Sequence, residues 1–143
     1  MIMNISKEFN WDMSHRLPFH DGHCKNIHGH TYKLRVEIEG IIDKNGMVMD
    51  YYVLEEIVLP IINKLDHSFI VDKNDNIMLD FLKENDFKHY IIENSTTAEN
   101  IVIHLSHIFI PLFKRYKNLT SLKVRLYETA NVFAEVEVIL SAS

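Results

Sequence analysis

The sequence predicts an α+β fold, a four-stranded antiparallel sheet with two helices on one face, in the order strand, strand, helix, helix, strand, strand. Three observations carry it. Both ends of the chain alternate apolar and polar residues with period two, the middle repeats apolar residues at spacings of three and four, and the second face of the predicted strands is charged.

In the first strand Phe9, Trp11, Met13 and His15 share one face. An irregular stretch from Arg16 to Asn26, with Pro18, Asp21 and Gly22, returns the chain to a second strand. There His28, His30, Tyr32, Leu34, Val36 and Ile38 alternate with Lys33, Arg35, Glu37 and Glu39. Gly40 to Asn45-Gly46 is turn chemistry. Asp50 is placed to cap a helix whose apolar stripe is Val53, Leu54, Ile57, Val58, Ile61, Ile62 and Leu65, and Pro60 should kink or interrupt it. This helix ends at Asp66-His67. Residues Val71 to Asn94 are the least readable, with a short helix expected near Asn76 to Glu84. Thr96 to Glu99 has the pattern of a capping box before a helix carrying Ile101, Val102, Leu105, Ile108, Phe109, Leu112 and Phe113, with Pro111 near its end. Leu122, Val124, Leu126 and Glu128 then share a face of one strand. Val132, Ala134, Val136, Val138 and Leu140 form the alternating set of the last. A four-stranded sheet with open edges predicts an edge partner, so copies joining edge to edge into a barrel are expected.

At 143 residues the chain fits one domain, residues 1–143. Charged residues are 24% and hydrophobic ones 47%, an ordinary globular balance. No apolar run reaches the ~18 residues of a membrane span, and the N-terminus lacks a signal-peptide pattern, so a cytoplasmic location is expected. With 15 basic and 20 acidic residues the net charge is −5, and no basic cluster favours nucleic acid. The single cysteine excludes an intrachain disulfide and leaves Cys24 to packing or chemistry.

The chemistry concentrates in Cys24-Lys25-Asn26-Ile27-His28-Gly29-His30. His28 and His30 lie two apart on one strand face, Gly29 leaves room for close approach, and His15 extends the matching face of the preceding strand. Three neutral imidazoles with an open fourth position make a catalytic zinc site. Cys24 has two readings: a fourth ligand closing a structural site, or a free thiolate acting beside the metal as base or nucleophile. Asp66-His67 would by default be a cap or surface pair; near Cys24, a carboxylate-oriented imidazole could exchange protons with the thiol. Glu128 at the rim of an apolar slot could accept two parallel hydrogen bonds from a ring carrying an N–H and an exocyclic amine. Thr96 and Thr97 are read as helix caps whose free N–H groups could also face a ligand. Nine histidines are many for this length, but His20, His23, His89, His104 and His107 read as solvated.

Ser14-His15-Arg16-Leu17, Cys24 to His30, Gly46 to Asp50, Leu65-Asp66-His67, Ser95 to Asn100 and Tyr127-Glu128-Thr129, in this order, resemble the family of 6-pyruvoyl tetrahydropterin and 6-carboxytetrahydropterin synthases over nearly the whole chain. The short spacing between Cys24 and His28 is similar to that of the bacterial carboxytetrahydropterin branch, which feeds queuosine synthesis. The resemblance implies the tunnelling fold (T-fold), a barrel closed by several copies and commonly a homohexamer of two stacked trimers. It implies 7,8-dihydroneopterin triphosphate as substrate and zinc held by His15, His28 and His30. It also implies a proton-transfer triad of Cys24, Asp66 and His67, and a pterin anchor at Glu128. The alternatives are the pyruvoyl reaction and a non-catalytic zinc- or pterin-binding module. Arg16 and Lys25 are the cations nearest in sequence for a triphosphate.

Overall fold

A computed structural model describes residues 1–141. The two longest strands, β1 (Ile2–His15) and β2 (His28–Ile41), pair antiparallel over their whole length, from Ile2 opposite Ile41 to His15 opposite His28. The helix α1 (Tyr51–Leu65) follows, then β3 (Ser68–Asp72), α2 (Asn76–Glu84), β4 (His89–Ile92), α3 (Ala98–Phe113), β5 (Leu119–Thr129) and β6 (Val132–Ile139). The sheet runs β4-β3-β1-β2-β5-β6.

The predicted four antiparallel strands are its centre and one side, β1-β2-β5-β6. The count of four strands is corrected to six, and the short helix expected near Asn76 to Glu84 stands as a third beside the two of the predicted layer. The two added strands run parallel: β3 to β1 through Met13 opposite Ser68, and β4 to β3. They come from the stretch that showed no period. Ser68, Phe69, Ile70 and Val71 are all buried, so β3 has no alternation to display. Ile70 joins the main core, whereas Phe69 and Val71 pack with Met78 and Leu82 of α2 in a second cluster. Successive strand residues point to opposite faces. The helix α2 therefore covers the face opposite α1 and α3, which corrects the expectation of helices on one face only.

The main core follows the alternation. Tyr32, Leu34, Val36 and Ile38 of β2 and Leu122, Val124 and Leu126 of β5 are fully buried beneath Leu54, Val58, Ile101, Leu105 and Phe109. Each of these fully buried aliphatic or aromatic side chains is worth about 1.5–3 kcal/mol of transfer free energy. On the other face the charged side chains pair across the ladder: Lys123 to Glu37 at 3.4 Å, Arg125 to Glu135 at 2.8 Å and Lys33 to Glu8 at 3.3 Å.

Asp50 caps α1, its carboxylate accepting from Tyr52 N–H at 2.8 Å. Pro60 does not interrupt that helix. Pro60 and Glu56 are both exposed, so the Glu56 carbonyl that loses its helical donor faces water. The cap of α3 is Thr97, one of the two threonines read as caps, whose hydroxyl accepts from Asn100 N–H at 3.2 Å; the capping-box pattern places Thr96 there instead.

Candidate active site

Pairing of β1 with β2 sets His15 opposite His28 and Met13 opposite His30, and one ring nitrogen from each of His15, His28 and His30 lies within 4.8 Å of the other two. Gly29 passes the β1 backbone closely: a Cβ there would stand 3.2 Å from Met13 O. His15 Nδ1 donates to Thr96 O at 2.8 Å, and His28 Nδ1 donates to Asn26 O at 2.7 Å. A carbonyl only accepts, so both protons are assigned to Nδ1 and both Nε2 atoms carry lone pairs. Those two Nε2 atoms are 3.1 Å apart. Two lone pairs at that distance need a cation between or beside them. Tetrahedral bonds of ~2.0–2.1 Å set ligand nitrogens roughly 3.3 Å apart, so the donor set fits a zinc-like ion.

Burial disfavours the charged form of His15 and His30. The pKa of His15 is lowered to about 4, first by desolvation and then by its two histidine neighbours, against the Thr96 hydrogen bond. His30 is lowered by desolvation and by His28. Neutral imidazole is the ligand form. Three histidines here could therefore hold a metal ion.

Cys24 is not a member of that donor group. It is half-buried in a single 3₁₀ turn, His23–Lys25, tied back by Leu17 N–H donating to Cys24 O at 2.8 Å. Asp66 ends α1 and His67 follows in the left-handed region at φ 59°. Asp66 Oδ1 accepts from His67 Nδ1 at 2.9 Å and from Asp12 N–H at 3.1 Å. The Asp12 N–H, foremost, and His67 hold the Asp66 carboxyl below the ordinary range. The His67 side chain is 76% exposed, and with His30 it lines a cavity of about 640 Å³ walled by Phe69, Phe81 and Phe87. Cys24 and Glu128 are not among that cavity's lining.

Glu128 is half-buried near the end of β5. Desolvation, then nearby Glu99, pushes its carboxyl up, and His28 opposes them. Thr96 is buried rather than capping; its carbonyl orients His15 and its hydroxyl donates to Arg16 O at 3.3 Å. Arg16 is held by Asp75 through bonds of 2.8 and 2.6 Å, so most of its guanidinium is engaged. His104, expected to be solvated, is half-buried and accepts the Tyr90 hydroxyl at 2.7 Å.

Sequence reasoning missed three participants. The Tyr32 hydroxyl is fully buried without a hydrogen-bond partner, its ring edge-on to His15 and His30. Its place in the alternating run after His30 marked it as core, and nothing in that run distinguishes phenol from hydrocarbon. Glu99 was read only as part of a cap. Lys88, on the cavity wall, lies in the stretch without a period.

A sheet of this topology with converging imidazoles and a carboxylate-held histidine defines a T-fold protein with a metal-competent site. The family model described as PTPS, 6-pyruvoyl tetrahydropterin synthase, matches residues 4–138, and the chain belongs to that family. It is 38% identical to the 6-carboxy-5,6,7,8-tetrahydropterin synthase of Haemophilus influenzae over 95% of this chain and 99% of that protein. It is 32% identical to the enzyme of the same name from Rickettsia conorii over 94% and 100%. Among solved structures, Plasmodium vivax 6-pyruvoyltetrahydropterin synthase superposes with a TM-score of 0.78 at 20% identity, covering 97% of this chain and 99% of that one. The Wolinella succinogenes protein WS1659 superposes with a TM-score of 0.79 at 21% identity, covering 95% and 98%. The tetrahydropterin synthases of this family are enzymes, and no helix among the described residues is long and apolar enough to cross a membrane.

Proposed function

We propose that the chain is a zinc-dependent 6-carboxy-5,6,7,8-tetrahydropterin synthase of queuosine and 7-deazapurine biosynthesis. It would convert 7,8-dihydroneopterin triphosphate and one water to 6-carboxytetrahydropterin with release of triphosphate and acetaldehyde. The observation that carries the reading is the pair of facing Nε2 lone pairs of His15 and His28, with His30 beside them. The bacterial relatives bearing that name support the choice of branch.

Zinc held by His15, His28 and His30 would supply Lewis acidity toward the oxygens of the substrate's hydroxylated side chain, favouring the enolate-like charge that develops there. Thr96 O keeps His15 in the tautomer that presents Nε2 inward. The Cys24 thiolate removes a side-chain proton. His67 moves protons at the adjacent carbon, with Asp66 fixing its Nδ1–H so that Nε2 exchanges them. Glu128 accepts two hydrogen bonds from the pterin ring, and those donors restore the ionised carboxylate that burial disfavours. Thr96 and Thr97 bring the free N–H groups at the start of α3 to the pterin side. The ring reaches the tetrahydro level by internal tautomerisation, so no redox cofactor is required.

The relay is completed where copies meet, within a cytoplasmic homohexamer built as two trimers. Supporting this, His67 is largely exposed and Cys24 lies outside its cavity. The test is product analysis of the zinc-loaded protein with dihydroneopterin triphosphate. Acetaldehyde together with 6-carboxytetrahydropterin supports the reading, a pyruvoyl product without acetaldehyde moves the chain to the other branch, and ligand binding without turnover makes it a binding module.

A further inference from the structure

We propose that Lys88 is a positioning residue for His67, a role resting on the reading of His67 as the proton-transfer imidazole. At the end of α1 a continuing helix would send His67 N–H to Asn63 O. Instead His67 N–H donates to Asp12 O of β1 at 2.7 Å, and the chain turns into the left-handed region, where a residue bearing a Cβ is strained. That diversion leaves the Asn63 carbonyl without its donor. Lys88 Nζ fills the gap, donating to Asn63 O at 2.8 Å and to Asp66 O at 2.6 Å. The second of these carbonyls belongs to the Asp66–His67 peptide itself, the unit whose rotation sets where the imidazole points. Lys88 is anchored in turn, its own carbonyl accepting from Phe69 N–H at 3.0 Å.

Four bonds thus grip three consecutive residues, 66 to 68. Asp12 holds the His67 amide and the Asp66 carboxylate, Ser68 Oγ donates to Leu65 O at 2.6 Å, and Lys88 holds the Asp66 carbonyl. Lys88 is the only charged donor in this set, at a helix C-terminus where a cation is favoured. It is brought there by the β3-α2-β4 unit, which gives that unit a part in the chemistry and not only in packing.

The test compares Lys88→Met, which removes the donors, with Lys88→Arg, which keeps them, in the metal-loaded protein acting on dihydroneopterin triphosphate. Imidazole 1H–15N spectra of His67 are recorded alongside. Lys88→Met should lower kcat about tenfold with KM unchanged within about twofold and shift the His67 ring resonances, while metal content stays the same. Lys88→Arg should retain most of the rate. In a His67→Ala background Lys88→Met should lower kcat no further. Unchanged kcat and spectra in Lys88→Met, or a loss that persists undiminished without His67, would overturn the proposal. Full activity of His67→Ala would instead remove the proton-transfer reading, and the ring spectra would still report whether Lys88 holds the imidazole. Should Lys88→Met not fold, Lys88→Ala, which also lacks a donor, is read in the same way; failure of both to fold would assign Lys88 to the helix end alone and overturn the proposal.

Discussion

His15 is the residue on which burial and chemistry meet most directly, because the desolvation that lowers its pKa also leaves the imidazole in the neutral form a metal could bind. In the metal-free protein its folded pKa of about 4 lies below the ordinary 6.5, so between those values the unfolded chain binds the extra proton. Stability contributed by neutral His15 is therefore fully present above about 6.5 and is lost as pH falls toward 4, on the order of 2–3 kcal/mol. Urea unfolding of chelator-treated protein at pH 7, 5.5 and 4.5 should show that decline, and a flat response would contradict it. Protons compete with metal at the same nitrogens, so the extra stability conferred by zinc should also shrink over that interval. Cys24→Ala asks a different question of the same site. Turnover should vanish with one metal equivalent retained, since the thiol is outside the imidazole group; metal loss measured by elemental analysis would favour the closed structural reading. The three histidines were legible because strand alternation places them without knowledge of anything distant. Thr96 was not, because a capping rule sees only its own neighbours in sequence. Contact with His15, 81 residues away, decides that Thr96 turns inward and leaves the cap to Thr97.

At the scale of elements, the β3-α2-β4 unit is tied to β1 by strand pairing at Met13 and Ser14 and, just beyond the end of β1, by a partly buried ion pair. Arg16, the residue after His15, donates two bonds to Asp75, which also accepts from Met78 N–H at 3.3 Å as the cap of α2. Asp75→Ala removes the cap and leaves a guanidinium with only 20% of its side chain exposed, a loss of about 2–4 kcal/mol. Denaturant unfolding should detect it, and hydrogen exchange should show α2 opening ahead of α1 and α3; uniform exchange would mean the unit is not separately coupled. Sequence periodicity found α1, α3 and the outlying strands because each buries one face and wets the other. It failed at β3, which is covered on both faces and so carries no alternation, and at the four-residue β4. The same stretch hid Lys88, since a lysine in an aperiodic polar segment has no pattern to break.

For the whole molecule, the proposed relay asks how Cys24 and His67, which do not line one cavity within the chain, would come to serve one substrate. The sheet leaves β6 open on one side, and β3 covers only the end of β1 on the edge away from β2, so most of that edge of β1 is also open. Val132, Phe133 and Ile139 along β6 and Ile2 and Met3 on β1 are exposed apolar side chains on these two edges. Long unpaired edges bearing apolar residues are strand-pairing surfaces, and β1 of one copy can extend the ladder from β6 of the next. Such closure would set unlike ends of neighbouring copies together, and the proposed relay requires the exposed imidazole of one to meet the thiol of another there. Cys24→Ala and His67→Ala proteins, the first inactive and the second slowed to a residual rate, should then recover activity when unfolded together and reassembled. Random mixing of equal amounts pairs an intact Cys24 with an intact His67 at roughly a quarter of such shared sites. A mixture as inactive as its components would place both groups in one chain and break the link between barrel closure and catalysis. Recovery that follows the assembled fraction on size-exclusion chromatography would make assembly itself a condition of turnover, because the copy that supplies the thiol would depend on its neighbour for the imidazole.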